Sequence, residues 1–219
     1  MSVSRSALVS ARINPHAFGS DKDDVARGVP NSSQGAAMRD QPALCLCLWL
    51  TGLSGAGKST IAAGLERRLQ GIGRHTTVLD GDALRAGLNR DLGFSPADRT
   101  ENIRRIAEVA RLMVEAGLIV VVAAISPCRD DRRRARERFA PGAFLEVFVD
   151  APIEVCEQRD PKGLYRWARA GGIENFTGVS APYERPLRPD ITLLTAQTPS
   201  DALVERVLTL LRERGIIAA

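Results

Sequence analysis

Apolar and polar residues alternate along the chain with two periods, one typical of strands and the other of helices. Short apolar segments that end at glycine, aspartate or other turn residues predict buried strands. These segments are residues 44–51, 76–79, 118–125, 144–149 and 191–194. The third is apolar throughout, which is typical of a central parallel strand covered on both faces.

Between these strands, apolar residues recur every three or four positions and predict helices. One helix spans residues 59–70. A second begins near Ser95, which with Asp98 resembles a capping box. A third begins at its expected cap Ser200 and ends before Gly215. The residues expected to face inward from these helices are Ile61, Ala62, Leu65, Leu69, Ile103, Ile106, Ala110, Met113, Leu203, Val207 and Leu211.

Strands that alternate with helices predict an α/β fold, with a central, mostly parallel sheet and helices on both faces. We expect one such domain over residues 41–219. Residues 1–40 show no lasting apolar periodicity and predict a mobile tail. Arg5 and Arg12 give its start a faint transit-peptide character, but three aspartates follow at positions 21–24, so a plain cytoplasmic extension is favoured.

Composition narrows the function classes. The chain has 219 residues, of which 44% are hydrophobic, enough for one sizeable core. Its longest apolar run, residues 118–125, is far shorter than the roughly 20 residues that a membrane span needs. A net charge of +4 suits an anionic small molecule as well as a polyanion. No cysteines are spaced as a zinc site requires, so we expect reduced core thiols at Cys45, Cys47, Cys128 and Cys156.

The segment from Gly52 to Ser59 matches the phosphate-binding pattern G-x-x-x-x-G-K-[ST] and lies between a predicted strand and a predicted helix. Glycines let successive N–H groups surround phosphate oxygens, and a helix N-terminus adds a favourable dipole. Lys58 would reach the β- and γ-phosphates, and the Ser59 hydroxyl would bind Mg²⁺. The predicted ATP-binding residues are Gly52, Leu53, Ser54, Gly55, Ala56, Gly57, Lys58, Ser59 and Thr60.

A triphosphate site alone does not define the reaction. The chain lacks the Asn-Lys-x-Asp motif by which GTPases read guanine, and it is short for a mechanical ATPase. A compact α/β domain with a charged, glycine-containing segment at residues 159–185 favours a small-molecule kinase. We expect that segment to be a lid that excludes water from the transferred phosphoryl group.

Several further blocks resemble the adenylylsulfate kinase family, in order from about residue 44 to about residue 189. They are DGDALRAGLN at 80–89, LGFSPADRTENIRR at 92–105, ISP at 125–127, RDPKGLY at 159–165, NFTG at 175–178 and YE at 183–184. The resemblance implies a P-loop NTPase fold with a lid. It also implies Mg²⁺-dependent transfer of the γ-phosphoryl group of ATP to the 3′-hydroxyl of adenosine 5′-phosphosulfate (adenylylsulfate). The products are 3′-phosphoadenosine 5′-phosphosulfate and ADP, in sulfate assimilation.

The same resemblance implies roles for individual residues. Asp82 is the expected general base, or the group that orients the attacking hydroxyl. Lys58 and Ser126 complete the expected catalytic set. Asp80 either holds a metal-bound water or braces the turn. The implied substrate-binding residues are Asp82, Arg85, Phe94, Arg99, Asn102, Ile125, Ser126, Lys162 and Phe176.

The chemistry of these side chains suits a nucleotide that carries a phosphosulfate. The guanidinium forks of Arg85 and Arg99 match phosphate and sulfate oxygens. Phe94 and Phe176 are implied to sandwich the adenine, although the sequence around them alone favours core positions. For Ser126 a phosphoserine intermediate and direct transfer both stay open. Metal-assisted in-line transfer needs no enzyme nucleophile, which favours the direct route.

The chain departs from the family pattern at two positions. Cys128 stands where phenylalanine is usual, and Gly172 stands where the family has glutamate, which removes a lid ion pair. The run at residues 129–138 contains six arginines with acids between them. Arg104 and Arg105 are likewise expected to be surface charges. The mixture of basic and acidic residues at 129–138 favours a solvated helix face over a nucleic-acid patch.

The expected partners are ATP and adenylylsulfate, with no nucleic acid and no membrane. Family members are commonly dimers, so a homodimer is expected, and association with a sulfurylase is a further expectation. Two alternatives stay open: another P-loop kinase of a small hydroxylated metabolite, and an inactive nucleotide-binding module that serves a partner enzyme.

Overall fold

The computed structural model describes residues 45–218. The strands are β1 (Cys47–Thr51), β2 (Thr76–Asp80), β3 (Ile119–Ala123), β4 (Phe144–Asp150) and β5 (Ile191–Leu194). They form one parallel sheet in the order β2-β3-β1-β4-β5. β1 and its neighbour β3 are buried along their whole length, because helices cover the two faces of the sheet. The helices are α1 (Lys58–Gly71), α2 (Gly81–Ala86), α3 (Pro96–Glu115), α4 (Arg129–Arg136), α5 (Ile153–Arg159), α6 (Leu164–Arg169) and α7 (Ser200–Glu213).

Alternation along β1 divides the core into two layers. Leu48 and Leu50 belong to the layer that contains Leu65 of α1 and the apolar face of α7. Trp49 belongs to the opposite layer, together with Ile106 of α3. The α/β class, the parallel sheet and the helices on both faces are thus confirmed.

Every predicted strand is present, but two are shorter than expected. β1 begins at Cys47 rather than at residue 44, and β3 ends at Ala123 rather than at residue 125. The second difference has a local cause. The Ala124 N–H still bonds to the sheet, whereas Ser126 has a φ of 42° and turns the chain away from it. The apolar run continues beyond β3 because it lines a cleft.

The helix caps are only partly as predicted. Ser95 Oγ accepts a hydrogen bond from the Asp98 N–H at 3.1 Å, but the Asp98 carboxylate accepts the Ser95 hydroxyl instead of completing a capping box. The expectation that Ser200 caps α7 is wrong, because Pro199 occupies the cap position and no side chain caps this end. Gly215 follows α7 with a φ of 68°, as expected.

The arginine run forms α4, but the prediction of a wholly solvated face is wrong at two positions: Asp131 is buried, and so is Arg132. Its side chain is buried and paired with Glu146, whereas Arg133 on the same helix is exposed and paired with Asp130 and Glu137. Helical periodicity brings Arg132 toward the sheet while its neighbour faces solvent. An ion pair makes this burial tolerable.

Among the cysteines, Cys47 and Cys156 are buried, whereas Cys45 and Cys128 are half-buried, so the expectation of four core thiols is only partly confirmed. Within residues 45–218, no helix combines the length and the apolarity that a membrane span requires. The predicted tail at residues 1–40 lies outside the described residues.

Candidate active site

The C-terminal ends of β1, β2 and β3 open into a cleft of about 1350 Å³, where open α/β sheets bind their ligands. Every implied substrate-binding residue lines it: Asp82, Arg85, Phe94, Arg99, Asn102, Ile125, Ser126, Lys162 and Phe176. Residues separated by more than ninety positions in sequence therefore share one cavity. Because the strands are parallel, these segments all emerge at the same edge.

The phosphate-binding loop joins β1 to α1, and its glycines are required by close contacts. A Cβ atom at Gly52 would lie 2.2 Å from the Val149 carbonyl oxygen. Gly57 caps α1 with a φ of 103°, a conformation that disfavours other residues. Among the predicted ATP-binding residues, Ser54, Gly55, Gly57, Lys58, Ser59 and Thr60 line the cleft. Gly52, Leu53 and Ala56 do not line it, and Ala56 is buried in the core.

Lys58 is a buried cation at the floor of this loop. Its Nζ donates to the carbonyl oxygens of Gly52 at 2.9 Å and Leu53 at 2.8 Å. Burial lowers the pKa of Lys58 to about 8, although the negative charge of Asp82 acts in the opposite direction. An anion that enters the loop finds this ammonium group already positioned.

Ser59 and Asp80 form a pair of oxygen ligands beside the loop. Ser59 Oγ donates to Asp80 Oδ2 at 2.7 Å, and Asp80 Oδ1 accepts the Asp82 N–H at 2.9 Å. Asp80 therefore braces the turn into α2, which was one of its two expected roles, and its second oxygen faces the P-loop serine. The described residues hold no cluster of three or more metal-binding His, Cys, Asp or Glu side chains. Magnesium in phosphoryl-transfer sites needs only one or two protein oxygens, with phosphate and water as further ligands. The pair fits Mg²⁺.

Asp82 faces the lid across the cleft. Its carboxylate forms an ion pair with the Lys162 ammonium, which connects α2 to the segment that precedes α6. Both side chains are more than half exposed, so water screens the attraction. A substrate that enters can replace either partner of this pair.

Phe94 is exposed and flanked by two cations. The guanidinium carbon of Arg85 lies 4.5 Å from its ring centroid and that of Arg99 lies 5.6 Å away. Arg99 also donates to the Asn175 carbonyl at 2.6 Å, which links this loop to the lid segment. Burial lowers the pKa of both arginines from an already very high value, so both remain charged. An aromatic ring and two cations therefore line one part of the cleft.

Phe176 differs from Phe94 in exposure. It is only 8% exposed and packs edge-on against Tyr165, with ring centroids 5.0 Å apart. The core position favoured by the sequence alone describes it better than an exposed platform does. It still lines the cleft.

Ser126 is almost fully buried where β3 meets the cleft. Its Oγ accepts a hydrogen bond from Trp49 Nε1 at 3.0 Å, and its carbonyl accepts one from Arg132. Asn102, also buried, accepts a hydrogen bond from Asn89 Nδ2 at 3.0 Å. The supporting residues Trp49, Arg132 and Asn89 are not among the site residues predicted from the sequence. Asn89 lies inside the block at residues 80–89 that resembles the family, so its position near the cleft could have been predicted.

The lid carries the exposed side chain of Trp167 on α6. A Cβ atom at Gly172 would lie 1.7 Å from Trp167 Nε1, so the indole occupies the space that any side chain at 172 would need. The glycine at position 172 therefore does more than remove a carboxylate from the lid. Because it has no side chain, the Trp167 indole can pack against the lid backbone.

Comparison with known proteins adds to this geometry. The family model described as adenylylsulphate kinase matches residues 44–194. The chain is 56% identical over 185 residues to an adenylyl-sulfate kinase of Pseudomonas aeruginosa, covering 84% of this chain and 93% of that protein. It is also 56% identical over 191 residues to a bifunctional enzyme NodQ of Azospirillum brasilense, covering 87% of this chain but only 30% of that protein.

A solved structure is similar over nearly its whole length. It is the Mycobacterium tuberculosis APS kinase CysC in complex with AMPPNP and APS, with 49% sequence identity and a TM-score of 0.75. The alignment covers 78% of this chain and 99% of that one. An ATP analogue and APS (adenylylsulfate) are thus bound together in a protein with this fold.

Proposed function

Because the chain belongs to the adenylylsulfate kinase family and is an ATP-dependent kinase of adenylylsulfate, we propose which of its residues transfer the γ-phosphoryl group to the 3′-hydroxyl. The observation that carries the assignment is the single cleft that joins the P-loop, Asp82 and every implied substrate-binding residue. The products are 3′-phosphoadenosine 5′-phosphosulfate and ADP.

ATP binds with its phosphates over the P-loop. The loop N–H groups and the N-terminus of α1 surround the phosphate oxygens, and Lys58 pairs with the β- and γ-phosphates. Nζ then exchanges its two carbonyl partners for phosphate oxygens. Because the ammonium is held in place before binding, little side-chain entropy is lost when the phosphates arrive.

Mg²⁺ is the proposed cofactor, held by the Ser59 hydroxyl with Asp80 beside it, directly or through water. When bound, it neutralises charge on the β- and γ-phosphates. Ser59 and Asp80 are 2.7 Å apart without it, so the hydroxyl that would turn to the ion is already oriented by the carboxylate.

Asp82 receives the 3′-hydroxyl of adenylylsulfate. Its carboxylate accepts a hydrogen bond from that hydroxyl, directs the oxygen at the γ-phosphorus, and takes the proton as the new P–O bond forms. Lys162, its ion-pair partner from the lid, is then available to the negative phosphosulfate. The lid segment that carries Lys162 closes over the site and excludes water.

Adenylylsulfate binds through its base and its anionic end. Phe94 and Phe176 contact the adenine, while the cations Arg85 and Arg99 and the Asn102 amide supply donors for the remaining polar atoms. Ile125 and Ser126 contribute from the end of β3. Transfer is direct in this proposal. Direct transfer is supported by the burial of Ser126, whose Oγ accepts a hydrogen bond from the Trp49 indole.

The remaining proposals concern the protein's surroundings. We propose a homodimer that associates with a sulfurylase. The bifunctional relatives, in which a similar segment forms part of a longer enzyme, support this association. A cytoplasmic location is proposed because Cys47, Cys128 and Cys156 are reduced thiols.

One experiment tests the residue roles. ADP release from Mg²⁺-ATP is measured with adenylylsulfate as acceptor, with AMP and acceptor-free reactions as controls, and the product is identified by mass. We expect Asp82→Asn to lower kcat by about 10²–10⁴-fold and to leave ATP affinity within about twofold, because the general base contributes mainly in the transition state. The exposed Asp201→Asn on α7 is the matched control. An Asp82→Asn enzyme with near-normal kcat would remove Asp82 from its proposed role.

A further inference from the structure

Donors from neighbouring elements hold residues 125 and 126 from behind as these residues leave the sheet. Thr51 Oγ1 donates to the Ile125 carbonyl at 2.7 Å, and Arg132 Nη1 donates to the Ser126 carbonyl at 2.6 Å. Trp49 Nε1 holds the Ser126 hydroxyl at 3.0 Å. Both carbonyl groups of this short segment are therefore bound to protein.

Within residues 45–218, the N–H groups of the same segment have no protein partner. Ala124 is the last residue here whose N–H bonds to the sheet, with the Leu50 carbonyl at 3.2 Å. Across residues 45–218, no acceptor is hydrogen-bonded to the N–H of Ile125 or of Ser126. Ser126 is 1% exposed, and both residues line the cleft. Because both N–H groups belong to residues that line the cleft, a ligand bound there can supply the acceptor.

Ser126 also has a strained backbone. Its φ of 42° lies in the left-handed region, which non-glycine residues rarely adopt. Such a conformation persists only where the surroundings determine it strongly. The hydrogen bonds from Trp49 and Arg132 are those surroundings for Ser126. The Ser126 N–H itself is directed by Thr51, because the Ile125 carbonyl that Thr51 binds belongs to the same planar peptide unit.

Arg132 is the residue that connects this segment to the lid. Its side chain is 3% exposed, and its Nε donates to Glu146 Oε1 at 2.6 Å, which neutralises the buried charge. Its Nη2 donates to the carbonyl of Glu184, at the end of the lid segment, at 2.7 Å. One planar guanidinium group therefore holds three acceptors from three parts of the chain.

We propose that Arg132 is a positioning residue: by holding the Ser126 carbonyl it keeps residues 125 and 126 in the conformation that turns their N–H groups toward acceptor atoms of adenylylsulfate, and it couples this segment to the lid. The proposal rests on the proposed role of Ile125 and Ser126 in adenylylsulfate binding. Arg132 itself does not line the cleft. Lysine cannot replace it, because a single ammonium group lacks the planar fork that reaches three acceptors at once.

The test compares Arg132→Lys with Arg133→Lys, one residue along the same helix. Lysine at 132 keeps the charge opposite Glu146 but loses the fork, and we expect the KM for adenylylsulfate to rise about tenfold, as for loss of one charge-assisted hydrogen bond. The KM for ATP stays within about twofold and kcat changes less than the KM for adenylylsulfate. Arg133→Lys leaves all three constants unchanged, because among residues 45–218 Arg133 bonds only to the exposed Asp130 and Glu137.

A second variant addresses the same segment without touching α4. Thr51→Val removes the donor to the Ile125 carbonyl and should raise the KM for adenylylsulfate in the same way. Its effect should be less than additive with that of Arg132→Lys, because both act on one segment. The positioning role is overturned if the KM for adenylylsulfate is unchanged in both variants. It is also overturned if only kcat falls, in proportion to the fraction of unfolded protein.

Calorimetric binding of adenylylsulfate separates this inference from the proposed function. If the wild-type protein does not turn over adenylylsulfate, the proposed function fails. The ratio of the dissociation constants of wild type and Arg132→Lys still decides the role of Arg132: a ratio of about ten supports it, and a ratio of one overturns it.

Discussion

Lys58 shows at the scale of a single residue how burial prepares a side chain for its ligand. Its ammonium group is enclosed by the P-loop and held by two carbonyl oxygens, which compensate only part of the lost hydration. The pKa therefore falls from 10.5 to about 8. A bound polyphosphate would supply the missing negative charge and favour the protonated form.

This lowered pKa predicts how ATP affinity depends on pH. Below pH 8 Lys58 is charged and binds phosphate directly. Above pH 8 it must first take up a proton, so the affinity for ATP should fall by up to about tenfold per pH unit between pH 8 and 9.5. Calorimetric titrations at several pH values measure this dependence, and Lys58→Met is the control with a flat profile. A wild-type affinity independent of pH over this range would contradict the assignment.

The same shift acts on folding with the opposite sign. The pKa of Lys58 is lower in the folded protein than in the unfolded chain, so the unfolded chain binds more protons between about pH 8 and 10.5. This group's contribution to the free energy of unfolding therefore rises with pH across that window. High pH relieves the cost of burying the charge while it weakens ATP binding.

At the scale of elements, the lid depends on a fit between one large and one absent side chain. Trp167 on α6 packs where a side chain at residue 172 would otherwise lie. The Gly172 N–H also bonds to the Trp167 carbonyl at 2.9 Å, which fixes the chain beneath the indole. The two residues therefore act as a unit that shapes the lid next to the cleft.

We expect Gly172→Ala to displace the Trp167 indole. The added methyl group would overlap the ring, so Trp167 must move, the tryptophan emission should shift, and kcat should fall by about tenfold through an altered lid. Trp167→Ala in the Gly172→Ala background should restore much of kcat compared with Gly172→Ala alone. Gly71→Ala at the end of α1, which has open space around it, is the control. Equal loss in the single and double variants would show that the overlap is not the cause.

At the scale of the whole molecule, the parallel sheet gathers the site. The P-loop follows β1, Asp82 follows β2 and Ser126 follows β3, and these three strands are neighbours in the order β2-β3-β1. Every chain segment that leaves a parallel strand does so at the same edge, so segments distant in sequence meet there. The loop that bears Phe94 precedes β3 in the chain and the lid follows β4, and both line the cleft at this edge.

The predicted boundary near residue 40 leads to a test on the whole chain. A variant that lacks residues 1–40 should keep kcat and both KM values within about twofold, because the cleft residues in the described part of the chain lie between Ser54 and Leu203. Its thermal unfolding midpoint should also stay within a few degrees of the full-length value. A large loss of activity with normal folding would assign residues 1–40 a part in the reaction and would show the boundary to be wrong.

The local pattern of this sequence was sufficient for the class of fold, the strands and the P-loop. Apolar periodicity depends on which residues a strand or helix buries, and the P-loop glycines follow from backbone geometry that no other residue tolerates. The resemblance of later blocks to adenylylsulfate kinases indicated the reaction. These conclusions survive because each depends on residues close together in the chain.

Only the tertiary structure decided which polar residues support the site. Arg132 belongs to a run that is typical of a solvated helix, and it is buried because α4 turns it toward Glu146 of β4. Trp49, a core residue by its pattern, reaches the site through the single polar atom of its ring. Gly172 and Trp167 shape the lid because they lie against each other across a turn. Hydrogen bonds and steric fit of this kind depend on distance in space, which no spacing along the chain specifies.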